Sequence, residues 1–367
     1  MTRPLAGLIG LAIVVITWWS MLRTLVVSRG SSRVVGVKNQ ALMGPMRWIA
    51  TRRRSYADRD RVLVWSSPLA TVTSLVMWLS LFFLGYGFLL YSAADISLVH
   101  AFREAGSSLS TLGISSSDHS LRTMLDFIAA TTGPITIGLL IGYMPTMYSA
   151  YQQREALVTL LVGRSSEPAW GPEILARYAM VDLLDQLDEL WTEWEVWAAA
   201  VAESHTNFPV LLHMRSSRPL RNWLISLLSV MDAAAMHMSL RPSESEDRMR
   251  LMLRQGILTL QDLADMEGLA YDNDPSPDTP TQISEAEFAD ACTRLVDANY
   301  PIERDVHAAY PHFRGWRANY ESIAYELAAR IDAVPAPWSG VRRPPLQTMY
   351  PRHLVDRKPS AGSSAPE

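Results

Sequence analysis

Three long apolar runs occupy the first 150 residues, and beyond them apolar and acidic positions alternate at helical spacing. Leu5–Val27 is interrupted only by Thr17, Ser20, Arg23 and Thr24; Val62–Tyr91 carries no charge; Leu121–Ala150 is glycine-studded and apolar beyond Arg122 and Asp126. A bilayer crossing needs roughly 20 apolar residues, so the pattern predicts three transmembrane helices. The second run is longer than a perpendicular helix needs, which predicts a tilted span. A cleaved signal peptide is the competing reading of the first run, because Arg3 precedes it. Trp18, Trp19, Met21 and Leu22 follow its core with no small-x-small cleavage pattern, which favours a retained helix with an interfacial tryptophan pair.

Between the first two runs, Ser28–Arg61 holds nine basic residues (Arg29, Arg33, Lys38, Arg47, Arg52, Arg53, Arg54, Arg59 and Arg61) against Asp58 and Asp60. Short arginine-rich loops stay in the cytoplasm. With that loop inside, the second span runs outward, the third returns, and Arg154 and Arg164 follow it on the inner side. The expectation is a multi-pass plasma (inner) membrane protein with its N-terminus outside and its C-terminal region cytoplasmic. Gln40–Thr51 has the apolar positions of an interfacial helix, but Gly44-Pro45 is expected to break it. Lysine occurs only at Lys38 and Lys358, so the arginine content reads as compositional bias and not as a nucleic-acid signature. The single Cys292 excludes an intrachain disulfide.

The remaining chain reads as a helical domain at 165–333. Ile174–Ala202 carries Trp191, Trp194 and Trp197 three apart, the spacing of a packed seam. Pro209 interrupts the next segment. Asn222–Leu240 is apolar enough to tempt a fourth span, but Asp232 at its middle makes insertion costly, which predicts a buried helix. A helix over about Glu244–Gly268 precedes an acidic, proline-rich linker at 272–281. Ser284-Glu-Ala-Glu287 has capping-box spacing and starts a helix toward Asn299. Pro301 and Pro311 are expected to break the following stretch, and Trp316–Ile331 to form the last helix. The Pro/Ser/Arg-rich composition of 334–367 predicts a disordered tail.

Ser92–Ser120 is too polar to span and lies between two good spans. Leu98–Ser110 is helix-compatible and is followed by Thr111-Leu112-Gly113. Irregular chain at membrane depth is tolerated where protein or a water-filled cavity covers it, so a re-entrant loop fits, and an ordinary external loop fits as well. Carbonyls of such a loop can replace an ion's hydration shell.

At these residues the segment 62–150 resembles the pore domain of the potassium-channel superfamily, whose order is outer helix, pore helix, Thr-x-Gly-(Tyr/Phe)-Gly-Asp filter and inner helix. The resemblance implies a filter at Thr111-Leu112-Gly113-Ile114-Ser115, with ions coordinated by carbonyls of Thr111, Leu112, Gly113 and Ile114. It implies a hinge at Gly133-Pro134 with Gly138 below it, and, with one loop per chain, a homotetramer passing a monovalent cation. Ile114 stands where the family has an aromatic, Ser115 where it has the second glycine, and the acidic residue comes late, at Asp118. Glu104 on the pore helix would be either hydrogen-bonded behind the filter or turned to the outer water. Asp126 would either attract cations at the mouth or simply favour a helix N-terminus. His100 and His119 flank the loop.

Glu203, Ser204, His205, Asp232 and His237 invite a triad or a metal site, but no catalytic or phosphate-binding motif accompanies them. Helix caps at Ser204 or Thr206 and a hydrogen-bonded Asp232 account for them. The expectation is an all-α membrane protein comprising a first span (1–27), a basic loop (28–61), a channel-like module (62–150) and the helical domain. It is not expected to be an enzyme, to need a cofactor or to bind nucleic acid. Its partners are the bilayer, three further copies and a permeant cation. The alternative is a membrane-anchored helical interaction or signalling protein with no conductance.

Overall fold

A computed structural model describes residues 2–27, 33–93, 95–114, 120–244, 246–342, 346–353 and 355. Among these residues the chain is all-helical, and four helices are long and apolar enough to cross a membrane. It divides into two compact units. One comprises Met1–Ile49, Val62–Ala150 and Asn207–Met214, and the other Ala50–Arg61, Tyr151–Thr206 and Arg215–Glu367.

In the first unit, α1 (Arg3–Leu25) and α4 (Ser66–Ala93) run antiparallel in close contact. Glycine permits the approach: a Cβ on Gly10 would stand 2.7 Å from the carbonyl of Gly85, and one on Gly7 would stand 2.7 Å from Ser92 Oγ. Small residues of this kind let span backbones meet where lipid supplies no hydrophobic drive between helices. Trp78 Nε1 donates to Ser20 Oγ at 3.3 Å, and Arg3 pairs with Asp95. Val14, Met21, Trp78, Phe82, Tyr86 and Leu90 form the core with Ala101, Ala105 and Ala129.

The connector expected as a loop at 28–61 is largely helical among its described residues, apart from 52–55. It forms α2 (Arg33–Thr51) and α3 (Tyr56–Leu63). Gly44-Pro45 does not break α2, since Pro45 costs the helix one donated hydrogen bond and Gly44 has no neighbour to disturb. The third span, expected to end at Ala150, belongs to a 46-residue helix α6 (Ser120–Ser165) that passes through Pro134 and Pro145.

The second unit contains α7 (Gly171–Met180), α8 (Leu187–Asn207), α9 (Trp223–Leu240), α10 (Asp247–Glu267), α11 (Glu285–Asp297), α12 (Val306–Ala318) and α13 (Glu321–Arg330). All 18 residues of α9 are buried in the protein, and Asn222 caps it by accepting from the amides of Leu224 and Ile225 at 3.0 and 3.1 Å. Residues Asn207–Met214, expected within the helical domain, belong to the first unit, where the Phe208 and Tyr143 rings lie 5.2 Å apart.

Ser284 and Glu287 close the capping box that starts α11. Pro311 sits inside α12, and the single last helix expected over Trp316–Ile331 is two, parted at Asn319-Tyr320. The expected disordered tail is packed over 334–342. Val334, Ala336 and Trp338 are buried, and the buried Arg342 donates to the carbonyls of Ala333 at 2.8 Å, Val334 at 3.3 Å and Ser339 at 2.8 Å. Composition misleads there because one arginine satisfies several backbone carbonyls that an open chain would leave to water.

Candidate pore loop and its surroundings

The loop is preceded by α5 (Leu98–Leu109), whose N-cap Ser97 accepts from the amide of His100 at 3.2 Å. One face of α5 is buried through Ala101, Glu104, Ala105 and Ser107. Phe102 rests on α4 at Gly87, where any side chain would strike its ring, and Gly106 packs on Phe83. His100 and Arg103 are exposed. On the other side, Ser108 Oγ donates to Asp126 Oδ1 at 2.7 Å, and the carbonyl of Leu109 abuts Gly133, so α5 lies between α4 and α6. Tyr86 of α4 and Thr132 of α6 share a buried 2.8 Å hydroxyl contact.

Past Ser110 the backbone curls back on the end of α5. The amide of Thr111 donates to the carbonyl of Ser108 at 3.0 Å and that of Leu112 to the carbonyl of Ser107 at 2.9 Å, while the amide of Ile114 donates to Ser107 Oγ at 2.9 Å. Two residues adopt left-handed φ, Thr111 at +56° and Gly113 at +66°. Glycine accepts this readily. A β-branched threonine held there carries about 1–3 kcal/mol of strain, which concentrates at functional positions. The Leu112 and Ile114 side chains are 65% and 63% exposed. Ser115, Asp118 and His119 lie outside the described residues.

Glu104 is fully buried and not turned to water. It pairs with Arg122 at the start of α6, whose side chain is only 13% exposed. Asp126 lies beside this pair. The sequence reading missed Arg122. Its signal was a basic residue at the start of a long apolar run, which calls for a nearby acid.

The expected hinge residues differ in their surroundings. Gly133 is packed tightly on Leu109, whereas Gly138 faces open space and Pro134 is exposed.

The candidate triad residues of the helical domain do not come together: Glu203 is exposed and Ser204 half-buried on α8, whereas His205, Asp232 and His237 lie in separate buried clusters. Ser204 and Thr206 lie inside α8 and bond back to Val201 and Ala202, so neither is the expected cap. His205 sits between Ser204 Oγ and Arg154 Nη1, each at 3.2 Å, and burial together with the Arg154 charge holds it well below the usual histidine range. Asp232 pairs with the buried Arg317 and accepts from the Tyr320 hydroxyl at 2.9 Å. His237 bridges the Tyr300 hydroxyl and Glu244, both at 2.7 Å. Among the described residues, no three His, Cys, Asp or Glu side chains gather to hold a metal. Of the tryptophan seam, all three rings are buried, and Trp197 donates to the carbonyl of Arg154 at 3.0 Å.

No protein family, curated protein or solved structure matches this chain.

Proposed function

We propose that this chain is an integral membrane, cation-channel-like protein of the plasma membrane. Four copies would surround a path lined by the carbonyls of Thr111, Leu112, Gly113 and Ile114, with the N-terminus outside and the helical domain in the cytoplasm. The observation that carries the reading is the seat of the loop. A short helix wedged between two spans ends in a turn whose amides face Ser107 and Ser108 and whose Thr111 and Gly113 are left-handed. With the amides of Thr111, Leu112 and Ile114 turned inward, carbonyls of the turn are left to serve a cation. The basic connector and the arginines after the third span support the orientation.

The test is potassium and sodium flux into liposomes, comparing wild type with Gly113→Ala, alongside the detergent-corrected mass from light scattering. The expected result is a tetramer that conducts and loses conduction on substitution. A monomer, or a tetramer silent to both ions, overturns the reading.

The second reading is a membrane-anchored interaction protein without conductance. It is favoured by the exposed apolar Leu112 and Ile114 at the loop tip, where a conducting mouth gains more from acids.

A further inference from the structure

Arg215 has no part in the pore reading, yet it gathers contacts from three separate stretches of chain. It is the residue at which the chain re-enters the second unit after Asn207–Met214, and its side chain is almost wholly buried. Nη1 donates to the Tyr56 hydroxyl at 3.0 Å and pairs with Asp60 Oδ1 at 2.9 Å. Both residues lie on α3, which leads in sequence directly into the α4 span. Nη2 donates to the carbonyls of Ile331 and Asp332 at 3.1 and 3.0 Å, at the end of α13. The main-chain carbonyl of Arg215 accepts from the hydroxyl of Tyr151 at 3.1 Å, on the portion of α6 that continues from the third span.

Helix C-termini carry partial negative charge, so a guanidinium suits the α13 end, and its fork serves several acceptors at once. A second observation marks this turn. Asp332 is left-handed at φ +50°, and its carbonyl takes donors from both Arg215 and Tyr56, the latter at 3.3 Å. A non-glycine residue keeps that conformation only while its surroundings impose it. The amides of Asp332 and Ala333 close the helix end on the carbonyls of Ala329 and Ala328 at 3.3 and 2.9 Å, and Arg215 together with Tyr56 of α3 adds side-chain donors to the same turn.

We propose that Arg215 is a coupling joint. It makes the state of the α13 turn and the seating of α3 a single equilibrium and joins both to the extension of α6. When the turn relaxes, Tyr56 and Asp60 lose the guanidinium and the lead into the second span is released. A pull on α3 unseats the turn in the same way, because coupling is reciprocal. The consequence for conduction rests on the channel reading above, whereas the joint itself does not.

The test is amide hydrogen exchange of the full chain in nanodiscs, for wild type, Asp60→Ala, Tyr56→Phe and Arg215→Lys, with ion flux measured on the same variants in liposomes. Asp60→Ala and the milder Tyr56→Phe are expected to speed exchange across the joint at 331–334 by roughly tenfold, the effect of losing one charge-assisted hydrogen bond. Arg215→Lys, which keeps the charge and loses the fork, is expected to speed exchange at both 56–63 and 331–334 while α9 stays protected. Faster exchange confined to the substituted side overturns the joint, as does a uniform rise that includes α9. Reciprocal exchange in a protein that conducts neither ion upholds the joint and removes the channel. Reciprocal exchange with conduction unchanged by Asp60→Ala overturns the link to conduction.

Discussion

Gly133 lies so close to the main-chain carbonyl of Leu109 that a single Cβ there would collide with the oxygen. The contact joins the end of α5 to α6, so the position of the loop turn depends on a residue inside α6. Gly133, expected as a hinge, is packed against the end of α5.

Gly133→Ala is therefore expected to destabilise the first unit by about 1–3 kcal/mol, since backbone cannot yield as a side chain can. Gly138→Ala and Gly142→Ala meet no atom and are expected to be neutral or slightly stabilising through helix propensity. Thermal unfolding of the three variants in one detergent makes the comparison.

Glu104 and Arg122 form a buried pair, so removing one partner strands the other. Glu104→Ala and Arg122→Ala are each expected to cost about 3–5 kcal/mol, and the Glu104→Leu/Arg122→Met double variant much less than their sum. A double-mutant cycle on the midpoint of chemical unfolding measures the coupling. Independent, additive losses would show the pair to be unimportant.

The helical domain is expected to lose stability on mild acidification. Burial, then the neighbouring Arg154 charge, keep folded His205 neutral at pH values where an unfolded histidine, titrating near 6.5, takes a proton. Below that pH the unfolded chain binds more protons, so stability is full above about 6.5 and falls as the pH drops, by at most about 1.4 kcal/mol per unit from this residue. His237, also lowered by burial, adds in the same direction. His205→Gln should flatten the slope of stability between pH 7 and 5 without abolishing it, as read from urea midpoints.

Asp232→Ala removes an acid facing the buried Arg317 and leaves that guanidinium with Glu321 at 2.9 Å. A loss of about 3–5 kcal/mol is expected. Pairing the change with Arg317→Met should restore much of it. Near-native stability of the single variant would mean that α9 does not depend on this pair.

What the sequence determined by itself is local. The apolar runs marked α1, α4 and α6 because length and hydropathy follow the chain, and Ser284 and Glu287 announced the start of α11 because both halves of a capping box lie within four residues. Asp232 in an apolar run already argued for a partner, though not which one.

Tertiary structure decided the rest. Pro45 and Pro311 sit inside helices that they were expected to break, and Val334–Arg342 packs despite a composition that suggests disorder. Both prolines are exposed, so each costs its helix little beyond one hydrogen bond, whereas over Val334–Arg342 burial outweighs the local preference. Arg122 finds Glu104, and Arg215 finds Asp60 and the Asp332 turn, across chain separations that no periodicity encodes. Such long-range choices are made by desolvation: a charge leaves water only where a partner from elsewhere in the chain replaces it, and the fold alone brings that partner there.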